Sequence, residues 1–97
     1  MIGRVTICQT TPDKLDEVIK SFKEDDIPAA KLENGFQGCY LLTDPKNGKF
    51  ISISFWNNEP DIMADERSGQ YQSRVNSRKH LYTTQPVREI YDVAVQC

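Results

Sequence analysis

Lys49-Phe50-Ile51-Ser52-Ile53-Ser54-Phe55-Trp56, followed at once by Asn57-Asn58-Glu59-Pro60-Asp61, is the stretch that decides how this chain folds. Ile51, Ile53 and Phe55 fall on one side and Phe50, Ser52, Ser54 and Trp56 on the other, the period of a β-strand. Asn58, Pro60 and Asp61 then supply an N-cap, a proline where its missing N–H costs nothing, and an acid in the first turn, which predicts a helix directly after the strand. Upstream, Phe36 to Thr43 reads as another strand. Asp44-Pro45-Lys46-Asn47-Gly48 joins the two as a five-residue connection rich in turn formers, so they form a hairpin.

Outward from the hairpin the pattern repeats. Ile2 to Gln9 alternates Val5 and Ile7 against Arg4, Thr6 and Cys8, a strand. Thr10-Thr11-Pro12-Asp13 opens a helix whose apolar stripe is Leu15, Val18, Ile19 and Phe22. Pro28 either kinks that helix or starts a short continuation that Asn34-Gly35 stops. A second helical region runs from Glu59 to Arg78, interrupted by Ser68-Gly69, and Val87 to Gln96 reads as the last strand. The order predicts an α+β, ferredoxin-like βαββαβ fold: a four-stranded antiparallel sheet with two helices on one face, in a single domain over 1–97.

The helices are expected to cover the more apolar side of the sheet, with Val5, Ile7, Ile51, Ile53 and Phe55. That leaves Arg4, Thr6, Cys8, Phe50, Ser52, Ser54 and Trp56 on a face too apolar for water and too polar for a dry core. Such a face is best satisfied by a second copy of itself, so a two-fold homodimer packed sheet on sheet is expected.

Composition narrows the function classes. The 97 residues are 38% hydrophobic and 27% charged, ordinary for a globular domain and too apolar for a disordered tail. Twelve Lys/Arg against fourteen Asp/Glu leave a net charge of −2, so no overall field attracts phosphate backbones and no nucleic-acid partner is expected. No apolar run approaches a membrane span, and the opening Met1-Ile2-Gly3-Arg4-Val5-Thr6 lacks a signal-peptide pattern, so a cytoplasmic location without a membrane partner is expected. Cys8, Cys39 and Cys97 are odd in number and widely spaced, which indicates neither a disulfide framework nor a metal site. Cys8 and Cys39 lie in predicted strands, where a free thiol acts as a small buried hydrophobe.

These stretches resemble one family, the antibiotic-biosynthesis-monooxygenase type of dimeric α+β-barrel protein. The resemblance lies in Arg4-Val5-Thr6-Ile7, in Thr11 to Ile19, in Asn34 to Leu42, in Ser52 to Trp56 leading into the second helix, and in Val87 to Val93. It implies a dimeric α+β barrel and, among the family's activities, cofactor-free oxidation of phenols, quinols or polyketide-like aromatics in a pocket of Asn, Trp, Tyr and Arg. A haem-degrading branch uses a Trp in the second helix and a ligand His. Here the corresponding positions fall near Asp65 and within Tyr71-Gln72-Ser73-Arg74-Val75, so haem is not expected, and neither is any other cofactor or metal.

The site expected on this basis has Trp56, Asn57 and Tyr71 binding a small aromatic ligand, and Arg74 and His80 stabilising charge or moving protons. Trp56 beside Asn57 puts a flat ring next to an amide at a helix entrance. Arg67, Tyr71, Arg74 and Arg78 would share one stripe if the helix ran through Ser68-Gly69. Each has a blander reading. Trp56 fills space, Asn58 is a helix cap, the arginine stripe is solvated and paired with Asp65 and Glu66, and His80 is a surface residue. A cofactor-independent monooxygenase and a non-catalytic ligand-binding or stress-associated dimer of the same fold both remain open.

Overall fold

A computed structural model describes residues 1–97. The strands β1 (Ile2–Gln9), β2 (Phe36–Thr43), β3 (Lys49–Trp56) and β4 (Val87–Asp92) form one antiparallel sheet in the order β2-β3-β1-β4. β1 lies between β3 and β4, with Arg4 opposite Ser54 and Ile90, and Thr6 opposite Ser52 and Arg88. The hairpin sets Tyr40 opposite Ile53 and Leu41 opposite Ser52, with a bulge between Phe36 and Gly38. This is the ferredoxin-like α+β arrangement. No helix is long and apolar enough to cross a membrane.

β4 stops at Asp92, short of the Gln96 that alternation alone predicts. Asp92 pairs with Ile2, and Val93 N–H reaches Met1 C=O, so the ladder runs out of partner strand there.

The helical segments differ from two simple rods. The first begins with a 3₁₀ turn, Pro12–Lys14, and continues as α1 (Leu15–Ser21). A π-helical turn, Phe22–Asp26, follows, and α2 (Ile27–Ala30) closes the arm. Pro28 has no N–H to give to an α-helical acceptor, and the turn before it widens so that Ile27 N–H bonds Phe22 C=O, five residues back. The second region is two helices, α3 (Glu59–Arg67) and α4 (Gln70–Ser77), because Gly69 takes the left-handed conformation at φ 85°. Asn58 caps α3, its side-chain oxygen accepting from Asp61 N–H at 3.3 Å.

The expectation about the two faces is overturned. The helices cover Arg4, Thr6, Cys8, Phe50 and Trp56, all buried, while Tyr40, Leu42, Val87 and Tyr91 on the opposite face are at least half exposed. Val5, Ile7, Ile51, Ile53 and Phe55 lie on that outer face and are only partly covered. Counting apolar residues misassigned the layers because α3 carries buried acids that neutralise the arginine on the inner face. The core is correspondingly small: Cys8, Leu15, Val18, Phe50 and Leu81 pack together, with Leu41 and Tyr82 against them.

Candidate functional site

Between the inner face of the sheet and the helical layer lies a cavity of about 50 Å³. The alternation of β1 and β3 delivers Arg4, Thr6, Cys8, Ser52, Ser54 and Trp56 to its floor. The π-turn contributes Phe22 and Asp26, and α4 with its C-terminal extension contributes Tyr71, Arg74, Val75, Arg78 and Tyr82.

Two charge clusters build the walls. In the first, Asp65 on α3 has no exposed side-chain surface, and its carboxylate accepts from Arg4 Nη2 at 2.9 Å and Arg74 Nη2 at 3.0 Å. Glu66 takes Arg4 Nη1 at 3.2 Å and Arg88 in a two-pronged grip at 2.6 and 2.8 Å. This pairing holds the Arg88 guanidinium above its usual range, opposed by partial burial. Asp65 and Arg74 are nine residues apart, which in a continuous helix would place them on opposite sides. The bend at Gly69 folds α4 back so that they meet. In the second cluster Arg78 Nη1 donates to Asp26 Oδ1 at 2.6 Å, an interaction that outweighs the burial opposing its charge and raises its pKa.

The aromatic groups are held by internal partners. Arg4 Cζ lies 4.0 Å from the Tyr71 ring centre and 5.3 Å from that of Trp56, a cation over two π faces. Tyr71 Oη and Thr6 Oγ1 are 2.8 Å apart, and Trp56 Nε1 donates to Ser54 Oγ at 2.9 Å. Phe36 meets Trp56 edge to face, their centres 5.5 Å apart. The indole therefore offers a ring and no free N–H. Cys8 is pushed up to about 11 by burial, only partly offset by the charge of Arg78, and burial likewise raises Tyr82. Both stay protonated at neutral pH.

Of the residues singled out from sequence, Trp56, Tyr71 and Arg74 line this one cavity. Asn57 and His80 do not: Asn57 is exposed beyond the end of β3, its N–H bonded to Gly35 C=O, and His80 is exposed on the 3₁₀ turn Lys79–Leu81, where Leu81 is the inward residue. Sequence reasoning missed Arg4, Asp26 and Tyr82 as lining groups; of the stripe Arg67, Tyr71, Arg74 and Arg78, all but Arg67 reach the cavity. Arg4 had a readable signal, since its parity on β1 matches that of Thr6 and Cys8. Asp26 had none, because the π-turn sets its direction.

No group of three or more His, Cys, Asp and Glu side chains is placed to hold a metal ion. Haem does not fit these residues: the single histidine is outside the lining and Cys8 is held as a neutral thiol, so the lining offers haem iron no histidine or thiolate ligand.

Comparison with known proteins agrees with the fold. The chain is similar over 98% of its length to a solved antibiotic biosynthesis monooxygenase, covering 100% of that chain at a TM-score of 0.77 and 14% identity. A conserved protein from Methanosarcina mazei Go1 superposes with a TM-score of 0.78 over 93% of this chain and 89% of its own, at 18% identity. The haem-degrader MhuD from Mycobacterium tuberculosis, solved with two haems in its active site, superposes at 0.80 over 100% and 99%, at 14% identity. At these identities the likeness is one of fold. No curated protein matches the sequence. The sequence model for antibiotic biosynthesis monooxygenases matches residues 1–76, which is most of the chain and includes the floor of the cavity, Trp56, Tyr71 and Arg74, and on that match the chain belongs to the antibiotic biosynthesis monooxygenase family.

Proposed function

We propose that this protein, one domain over 1–97, is a cofactor-independent monooxygenase that oxidises a small electron-rich aromatic such as a phenol or quinol, in the cavity beneath the helices. The observation that carries the reading is the lining itself: Trp56 and Tyr71 rings beside the buried guanidinium groups of Arg4, Arg74 and Arg78. Aromatic walls bind a ring, and guanidinium N–H groups in a dry site stabilise a phenolate far better than water does. Trp56 and Tyr71 bind, and Arg74 stabilises charge.

The chemistry follows from what the residues supply. The substrate loses its phenolic proton, and the guanidinium groups lower that pKa. The carbanion form passes electrons to O₂. When a ring C–H of a phenol becomes a quinone carbonyl, one oxygen atom of O₂ ends on carbon and the other leaves as water, and the ring supplies all four electrons. The protein contributes positioning, charge stabilisation and exclusion of bulk water. Oxygen uptake by metal-free protein with single-ring phenols, quinols and catechols tests this; no consumption above buffer across the panel overturns it.

A second reading, a non-catalytic ligand-binding dimer, is favoured by the lack of a ready base. Cys8 and Tyr82 are held protonated, and Asp26 is tied to Arg78. A co-purifying aromatic that is bound without turnover would support it.

Assembly as a homodimer belongs to both readings, now through the outer face. Val5, Ile7, Tyr40, Leu42, Ile51, Ile53 and Phe55 form an apolar surface that no element of the chain covers. Three free thiols, Cys8, Cys39 and Cys97, suit the reducing cytoplasm, where we place the protein.

A further inference from the structure

The side chains around the cavity carry more positive charge than they cancel. Arg4, Arg74 and Arg88 share Asp65 and Glu66, while Arg78 is matched by Asp26, which leaves one positive charge unbalanced among these seven groups. Arg74 and Arg78 are four residues apart along α4 and its end, so both guanidinium groups approach the cavity from one side. Each also keeps a donor unused. Arg74 Nη1 and Arg78 Nε are buried and make no hydrogen bond, and neither does the buried Tyr82 hydroxyl, which faces the Arg78 guanidinium and the Cys8 thiol without an aligned bond to either. The Arg78 side chain is only 7% exposed. An unmade buried hydrogen bond costs about 1–3 kcal/mol, so three such groups around one small cavity call for oxygen acceptors between them.

We propose that this cavity binds a small monoanion, a carboxylate or phenolate carried on a single aromatic ring, with Arg74 Nη1, Arg78 Nε and Tyr82 Oη donating to its oxygens. The inference rests on the reading of the cavity as the ligand chamber and names the ligand class. A monoanion neutralises the surplus charge, and the apolar lining from Phe22, Phe36, Leu41 and Phe50 faces its ring. A cavity of about 50 Å³ holds three or four waters' worth of matter, enough for the oxygen-bearing edge of one ring and too little for a fused polycycle. Val75 and Tyr82 also line a neighbouring surface groove of about 400 Å³ that carries Lys79 and no carboxylate, so nothing on that side of the cavity repels an anion.

The test is calorimetric titration of the unaltered full-length protein with benzoate and with benzamide, which share a ring and differ in charge. Benzoate is expected to bind at least tenfold more tightly. Tyr82→Phe keeps the ring volume, removes the unpaired hydroxyl, and should weaken benzoate several-fold without lowering the melting temperature of the ligand-free protein. Arg74→Gln should weaken it tenfold or more; should that variant not fold, the matched ligands on unaltered protein still decide. Equal binding of the two ligands, or no benzoate binding at millimolar concentration, overturns the proposal. Oxygen uptake with a neutral quinol but no benzoate binding removes the anion site and leaves the oxygenase; benzoate binding with no oxygen uptake on any substrate does the reverse.

Discussion

Replacing Asp65 by alanine should be among the most damaging single changes in this molecule. The carboxylate sits between two buried guanidinium groups, 2.9 Å from Arg4 and 3.0 Å from Arg74. After its removal Arg4 still has Glu66 at 3.2 Å, but Arg74, 11% exposed, keeps no carboxylate. Breaking a buried pair from one side costs about 3–5 kcal/mol, and because only one of the two arginines is stranded the lower end, about 3 kcal/mol, is expected. For a domain of this length about 4–8 °C of melting temperature goes with each kcal/mol, so the midpoint should fall by about 12–24 °C. Asp65→Asn keeps an acceptor oxygen and should fall between the two. Asp65→Leu combined with Arg74→Met exchanges the pair for apolar groups and should recover most of the loss. Urea unfolding followed by circular dichroism, at one fixed protein concentration, measures all three. A cost below about 1 kcal/mol for Asp65→Ala would refute the reasoning, because it would mean that water already solvates these arginines.

Other outcomes follow from the same geometry. Because folding raises the Cys8 pKa from 9.0 to about 11, stability should be fully present below pH 9 and decline between pH 9 and 11, by no more than about 2 kcal/mol once screening is allowed for; Cys8→Ala should flatten that part of a melting-temperature profile. Alkylation followed by mass spectrometry should label exposed Cys97 first, half-buried Cys39 next and Cys8 last. Ile53→Asp, at the centre of the outer face, should convert a species of twice 11.1 kDa into a monomer in sedimentation, and an unaltered protein that already sediments as a monomer would overturn the dimer. Asn58→Ala removes the α3 cap and should cost about 1 kcal/mol in the same unfolding assay. If oxygen uptake is found, Arg74→Ala should reduce it at least tenfold while His80→Ala stays within twofold, since only Arg74 lines the cavity.

The strand order was legible because β2 and β3 alternate cleanly and Asp44 to Gly48 can only turn; both strands have the bounds that the sequence predicts. The facing of the sheet was not. Patterning ranks faces by greasiness, and here the greasier face is the one left bare, since the charge of Arg4 on the inner face is cancelled by residues more than sixty positions away in the chain. The same distance hid half of the site. Trp56, Tyr71 and Arg74 were visible as chemistry-bearing types near one junction, whereas Arg78 and Tyr82 looked like a basic helix end and a loop. His80 attracted notice as the only histidine, yet the 3₁₀ turn that buries Leu81 points the imidazole outward.

The widened turn ahead of Pro28 works as a phase correction. Val18, Phe22, Asp26 and Ala30 are all buried at intervals of four, although a four-residue step in an ordinary α-helix overshoots a full revolution by about 40° and would carry the last of them well round the cylinder. The broader turn takes back part of that overshoot, so that Phe22, Asp26 and Ala30 roof the chamber in line with Val18 in the core. Shortening the arm by a residue here would give a more regular helix and a chamber without its aspartate.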